Sequence, residues 1–542
     1  MTRALLAAAA ASLLAGTTLA APAISVETLR TVTQTLSSDA YEGRAPTTPG
    51  EEKTVAYIAD RFAKAGLKPG ARGGWFQPVP LVETTVDPKV TMKIAGGATP
   101  LEFAYKTDMV LSTRQVTPRI DIAGSDVVFV GYGINAPEKG WNDYAGLDVK
   151  GKTVIVLIND PDWKTMSLDG PFGGRAMTYY GRWTYKYEEA ARQGAAAVLI
   201  VHDTEPAAYP FGVVVSSWSG PQLEIDAKDN HMGESKAIGW ITNDAAHRLF
   251  AAAGKDYDQL VTAAAQKGFK AVPLGLKAST GFDVKVRRQA SRNVVGILPG
   301  KTAPGDYVLY TAHWDHLGRC EPVEGDGICN GALDNASGVA GLIAIAEAAA
   351  KEGPAARSQV FVAVTAEESG LLGSAYYAEN PLYPLKNTVG GVNMDGLNVN
   401  GVSRDVTVVG LGKSELDDMV ARAAKAQGRT ISRESTPEKG SYYRSDHFSF
   451  AKLGVPMLDA KAGVDLVEGG PERGKALAAD YTAKRYHGPK DEYDPRWDWS
   501  GAVQDLELYY AVGHELADGK AWPNWFPKDE FRAIRDKSRM TK

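Results

Sequence analysis

Cysteine is nearly absent from this chain. Its 542 residues hold two, Cys320 and Cys329, nine positions apart. No CxxC-type spacing exists and the ligand types nearby are hard ones. The pair therefore reads as a local disulfide rather than as two thiolate metal ligands. Histidine is scarce too, at eight, so any grouping of imidazoles is informative. Neither sign of charge dominates: 60 Lys and Arg against 65 Asp and Glu leave a formal net charge of −5. That balance argues against nucleic acid or an anionic membrane as the main partner. No internal repeat or low-complexity block is evident. Beyond the first twenty residues no apolar run approaches the length of a membrane span. An ordinary globular composition remains, with room for two or more domains.

The first twenty residues read as a secretory signal peptide. A short basic start, Met1-Thr-Arg3, precedes an Ala-rich apolar core and the small-residue site Thr18-Leu-Ala20. The expectation is an exported protein, periplasmic or secreted. Residues 51–65 follow the pattern of an amphipathic helix, with Val55, Ile58 and Phe62 on one face. From about 85 to 279 short apolar strands (127–130, 153–158, 197–201) alternate with dense turn signals. His202, His231 and His247 are scattered there, as surface or core histidines are. From 280 onward the pattern returns to alternating strands and helices. Strands are expected at 293–298, 307–312, 359–365, 406–410 and 455–458, and helices at 337–350, 414–427 and 505–517. The tail, 519–542, is expected to be a charged surface wrap. The fold class is α/β, with a mixed, mostly parallel sheet flanked by helices. The layout is a signal peptide (1–20), a discontinuous domain (21–84 and 280–542) and an inserted, mostly β domain (85–279).

The chemistry gathers after the apolar run 307–310. His313, Asp315 and His316 stand at the end of that expected strand. Asp334 follows in Gly331-Ala-Leu-Asp-Asn-Ala-Ser-Gly338, just before a helical pattern. Open α/β sheets place ligands at this carboxyl edge, and imidazole with carboxylate suits zinc. A lone histidine at a strand end is more often simply hydrogen-bonded, but further segments repeat the theme. Residues 360–364 run into Glu367 and Glu368. Side-chain alternation lets one of these ligate a metal while the other faces the cleft as a base. Asp395, His447 and His487 each follow in a segment of their own.

The order HWDH, LDNASG, EESGLLGS, NMDG, YRSDHFSF, YHGPKDEY resembles metallopeptidase family twenty-eight, the co-catalytic di-zinc aminopeptidases, which also includes glutamate carboxypeptidase-like enzymes. The resemblance covers about 285–500 plus 38–70. It implies the zinc exopeptidase fold, and it likens the insert to a protease-associated domain. It implies two zinc ions bridged by Asp334, with His313 and Asp395 completing one site and Glu368 and His487 the other. Glu367 is then the general base, and Asp315 orients His313. The Asp334–Asn335 peptide is expected to be cis, as in the family. Tyr442, Tyr443 and Tyr486 are the candidates to stabilise the oxyanion, with Tyr443 and Tyr486 carried forward. Asp446 and His447 are assigned to structure. Two Zn2+ against three carboxylates leave a residual positive charge, which favours a metal-bridging hydroxide as nucleophile. The implied function is an exported zinc-dependent aminopeptidase acting on peptides. A glutamate carboxypeptidase-like exopeptidase is the alternative, and a non-catalytic binding relative is a weaker one.

Overall fold

The computed structural model describes residues 24–540; the expected signal peptide lies outside them. Among the described residues no helix is long and apolar enough to cross a membrane.

The strand Ala303–His313 is central to the sheet of the larger domain. It pairs in parallel with Arg357–Val364 on one side and with Thr388–Asn393 on the other. Thr388–Asn393 pairs in parallel with Met457–Ala462, which meets Asp405–Val408 antiparallel. At the opposite edge Arg357–Val364 runs antiparallel to the end of the long strand Val272–Leu298. The sheet is thus mixed and mostly parallel.

The middles of the strands Ala303–His313 and Arg357–Val364 are apolar because both faces are covered. Alternation sends Val308, Tyr310, Ala312, Phe361 and Ala363 into the core under the helices Val26–Leu36, Pro49–Lys64, Gly338–Glu352 and Ser500–Asp518. It sends Leu309, Val360, Val362 and Val364 to the other face, against Tyr377, Phe450 and Met457. Three elements depart from the sequence reading. Thr388–Asn393 is a full strand whose sequence, TVGGVN, hides it. A Cβ at Gly391 would collide with the Leu309 carbonyl and the Met457 sulfur, so the close strand packing demands glycine there. The strand expected at 455–458 starts only after Pro456, at Met457. The tail is anchored rather than laid on the surface. Trp525 is buried and donates to the Gly454 carbonyl at 2.9 Å, and Arg535, in the helix Arg532–Met540, donates to the Thr388 and Val389 carbonyls at 2.9 Å each.

The inserted region has its own cores, built on the parallel strands Thr153–Leu157, Ala197–His202 and Ala237–Thr242. Helices such as Trp183–Arg192 and Asn243–Ala252 pack on them. The chain enters along Phe76–Val86 and leaves along Val272–Leu298, and these two strands pair antiparallel from Val284 to Val294. This ribbon runs unbroken past the expected boundaries at 84 and 280.

Candidate metal centre

Three neighbouring parallel strands end at one edge, and each delivers acidic or imidazole side chains at or just beyond its last residue. Ala303–His313 delivers His313, Asp315 and His316. Arg357–Val364 delivers Glu367 and Glu368, and Thr388–Asn393 delivers Asp395. Asp334 arrives from the irregular turn ahead of the helix Gly338–Glu352.

That turn is held from several directions. Gly331 takes a φ of +54°, and a Cβ there would strike the Asp334 carbonyl and the His316 ring. The Asp334–Asn335 peptide is cis. Asn335 accepts from the Gly338 and Gly396 N–H groups at 3.0 Å each and donates to the Met394 carbonyl at 3.0 Å, which ties the Asp334 turn to the Asp395 loop. The Asp491 carboxylate accepts from the Leu333 and Asp334 N–H groups. Arg44, fully buried, donates to the carbonyls of Leu36, Trp314, Asn330 and Gly331 at 2.6–2.9 Å. Cys320 and Cys329 are bonded and close the Gly318–Cys329 hairpin before this turn.

His313 Nε2 lies 3.3 Å from Asp334 Oδ1 and 3.6 Å from Asp395 Oδ1. His487 Nε2 lies 3.4 Å from Asp334 Oδ2 and 3.0 Å from Glu368 Oε2. All five ligands expected from the sequence therefore converge, with Asp334 shared between two groups. The ligand atoms of His313, Asp334 and Asp395 lie within 4.8 Å of one another, as do those of His316, Asp334 and Glu368. His316 is the residue that sequence reasoning left without a role. Its Nδ1 is 2.6 Å from Glu368 Oε1, and its Nε2 is buried without a partner. The signal was present, since His313 and His316 stand three apart in HWDH.

Asp315, expected to orient His313, reaches the glutamate pair. Its carboxylate accepts from the Glu367 N–H at 3.1 Å and the Glu368 N–H at 3.3 Å, which fixes the glutamate pair. His313 Nδ1 is 3.8 Å from that carboxylate and 3.2 Å from the Asp315 carbonyl. Lys461, unforeseen, donates to the Asp395 carbonyl and has its Nζ 3.6 Å from Asp395 Oδ2.

The electrostatics show a site short of positive charge. Burial would lower both imidazoliums; carboxylates outweigh it, led by Glu367 for His313 and by Glu368 for His487. The former rises well above its usual value and the latter to about 10. Burial raises Glu367 well above the ordinary carboxylate range, and Glu368, Asp446 and Asp395 add to this. The donor set is oxygen and imidazole nitrogen, arranged as two groups around one shared carboxylate, and it fits divalent zinc.

The tyrosines separate. Tyr443 is a correction to the sequence reading: it is buried and its hydroxyl donates to Glu530 at 2.8 Å, so it serves the anchored tail and not the centre. Tyr442 packs in the same cluster. Tyr486 is 48 % exposed, stacks on His487 with ring centroids 3.8 Å apart, and feels the charges of Asp334 and Glu368. Asp446 and His447 are buried outside both ligand groups.

Residues 293–511 match the model of Peptidase family M28. The solved structure titled as an aminopeptidase from Aneurinibacillus sp. strain AM-1 superposes with a TM-score of 0.51 at 22% identity, covering 91% of this chain and 94% of that one. The glutamate carboxypeptidase 2 homolog of Caenorhabditis elegans is 29% identical over 197 residues, 35% of this chain and 24% of that protein. A probable zinc metalloprotease of Pyrenophora teres f. teres is 35% identical over 102 residues, 19% of this chain and 22% of that protein. The chain spans less than a quarter of the length of each of these two curated relatives.

Proposed function

We propose that this chain, whose residues 293–511 form a peptidase family M28 domain, is a zinc-dependent aminopeptidase that removes N-terminal residues from peptides. The observation that carries the reading is the convergence of His313, Asp334, Glu368, Asp395 and His487 on two groups that share Asp334. The Glu367 carboxylate beside them takes no hydrogen bond among the described residues and is free to handle a proton. The Cys320–Cys329 bond suits an oxidising compartment, so the reading includes export.

His313, Asp395 and Asp334 would hold one zinc; Asp334, Glu368 and His487 would hold a second. Bound there, zinc supplies Lewis acidity toward the scissile carbonyl and a water acidic enough to act at neutral pH. Glu367 takes the proton from the attacking water as the new carbon–oxygen bond forms. It then passes that proton to the departing amine nitrogen as the carbon–nitrogen bond breaks. We assign the donor to the developing oxyanion to Tyr486, whose ring stacks on His487; the Tyr443 hydroxyl donates to Glu530 instead. Asp315 keeps Glu367 and Glu368 in register through their N–H groups.

The test compares leucyl anilide with its N-acetylated form on zinc-loaded protein. Cleavage of the free-amine substrate alone, abolished by chelation and restored by zinc, is expected. Cleavage of N-blocked peptides with a free carboxylate would instead make it a carboxypeptidase.

A further inference from the structure

Beyond the family-matched residues 293–511, the tail places Asp529, Glu530 and Phe531 where three parts of the chain meet. The Glu530 side chain is only 12 % exposed. One of its oxygens accepts from the Tyr443 hydroxyl at 2.8 Å and from Lys413 Nζ at 3.1 Å, both in the peptidase domain. The other accepts from the Tyr179 N–H of the inserted region at 3.3 Å. Asp529 takes the same Lys413 ammonium at 3.3 Å. That ammonium also faces the rings of Tyr442, Tyr443 and Phe531 at 5.0–5.6 Å. Charge-assisted bonds of this kind are the strong ones.

Packing follows the same three-way pattern. Trp525 and Phe531 of the tail share one apolar cluster with Met177 of the inserted region and with Tyr442, Tyr443 and Phe448 of the peptidase domain. Tyr179 rests against it, its ring 5.1 Å from Phe448 and 6.1 Å from Tyr443. Leu371 rests against it too, and the Leu371 N–H donates to the Glu367 carbonyl at 2.9 Å. On the other flank Ser445, two residues past Tyr443, accepts from Asn393 at 2.8 Å, two positions before Asp395. The cluster therefore backs two of the segments that carry the metal centre, with the inserted region alongside.

The inserted region joins the rest of the chain through the ribbon of Phe76–Val86 and Val272–Leu298. Its other bonds to the peptidase domain include the ion pairs Arg175–Glu438 at 2.8 Å and Lys452–Glu188 at 2.7 Å, whose side chains are 21–43 % exposed. Exposed pairs contribute little, and two parts joined by a ribbon and polar contacts move against each other by default. Glu530 differs, because it is shielded and bonds both parts at once. We propose that Glu530 is a positioning residue: it locks the inserted region against the peptidase domain, and so fixes the cleft wall that a longer peptide reaches beyond the scissile bond. A substrate of one residue spans only the metal centre and does not need that wall. The consequence for substrate length rests on the peptidase reading above; the lock itself does not.

The experiment uses full-length, zinc-loaded protein with Glu530→Ala, and with Glu530→Gln in case the alanine variant fails to fold. Spin labels on Glu102→Cys in the inserted region and Lys351→Cys in the peptidase domain, both exposed, report the distance between the two parts. The native cysteines are bonded to each other and take no label. The parent should give one narrow distance distribution, and Glu530→Ala a broader one. Glu530→Gln keeps an acceptor oxygen but loses its charge toward Lys413, so it should fall between them. Kinetics then compares leucyl anilide with a decapeptide that begins with leucine. In Glu530→Ala the decapeptide KM should rise about fivefold or more, the lower end of coupling between separate sites, while the anilide KM stays within about twofold. The kcat on either substrate and the zinc content should match the parent's, because the groups that break the bond are untouched. An unchanged distance distribution in the variants, an unchanged decapeptide KM, or an equal rise on both substrates overturns the proposal. Broadened distances in a protein whose parent cleaves neither substrate would overturn the peptidase reading and leave the lock standing.

Discussion

Glu367 and Glu368 are adjacent, share one backbone anchor in Asp315, and should fail in different ways when changed. The Glu368 carboxylate is held by two imidazoles, His316 Nδ1 at 2.6 Å and His487 Nε2 at 3.0 Å. The Glu367 carboxylate takes no hydrogen bond among the described residues. Glu367→Gln keeps shape and backbone contacts but cannot accept a proton. Losing a general base costs about 10²–10⁴ in rate, or about 3–5 kcal/mol of transition-state stabilisation. The loss should fall on kcat, with KM nearly unchanged, because the proton is transferred only in the transition state. Zinc content should match that of the parent protein. Glu368→Gln instead weakens a ligand and should lower bound zinc along with activity. Elemental analysis and steady-state kinetics on both variants decide the matter. A Glu367→Gln enzyme with parental kcat, or one that has lost zinc, would refute the assignment of the pair.

Elemental analysis of the parent protein should give close to two zinc equivalents, and His487→Ala should lose one of them. His487 spans both Asp334 and Glu368, so His316→Ala should lower zinc content less; the reverse order would give His316 the ligand role. Tyr486→Phe should reduce kcat by about 10²–10³, the range for losing an oxyanion donor. Tyr443→Phe, which removes the bond to Glu530, should instead lower thermal stability by about 0.5–1.5 kcal/mol with little effect on kcat. Intact-mass measurement should find Cys320 and Cys329 bonded, and reduction should cost about 2–3 kcal/mol as expected for so short a loop. Two freely alkylated thiols in unreduced protein would contradict that bond.

The elements that could be read from the sequence are those whose local pattern and tertiary setting agree. Val360–Val364 is apolar without interruption because helices cover both of its faces, and the run betrays the strand. Thr388–Asn393 is equally buried, yet two glycines break the pattern, because Gly391 answers to the Leu309 carbonyl on the neighbouring strand. The helix Gly470–Lys484 has no buried residue, so no hydrophobic period could announce it. Arg535 shows the converse. It lies in a charged tail but is fully buried, because two carbonyls at the start of the Thr388–Asn393 strand take its donors.

The same division runs through the site. The candidate ligands are legible because a side chain that reaches a shared centre must stand at or just past a strand end or turn, and that requirement imprints a short motif around each. What holds the ligands in place leaves no such imprint. Arg44 shapes the Asn330–Gly331 backbone from a position 286 residues earlier in the chain. Asp491 fixes the Asp334 N–H from 157 residues later. Tyr443 sits in a motif with the centre's neighbours, yet its partner is Glu530, 87 residues on. A backbone carbonyl accepts from any suitably placed donor, and an N–H serves any carboxylate, so selection at these positions acts on reach and burial rather than on a local pattern. A ligand motif therefore marks where a metal can be held. Whether the side chains arrive together depends on distant donors such as Arg44, whose loss would leave four carbonyls, two of them next to the Asp334 turn, without their charged partner.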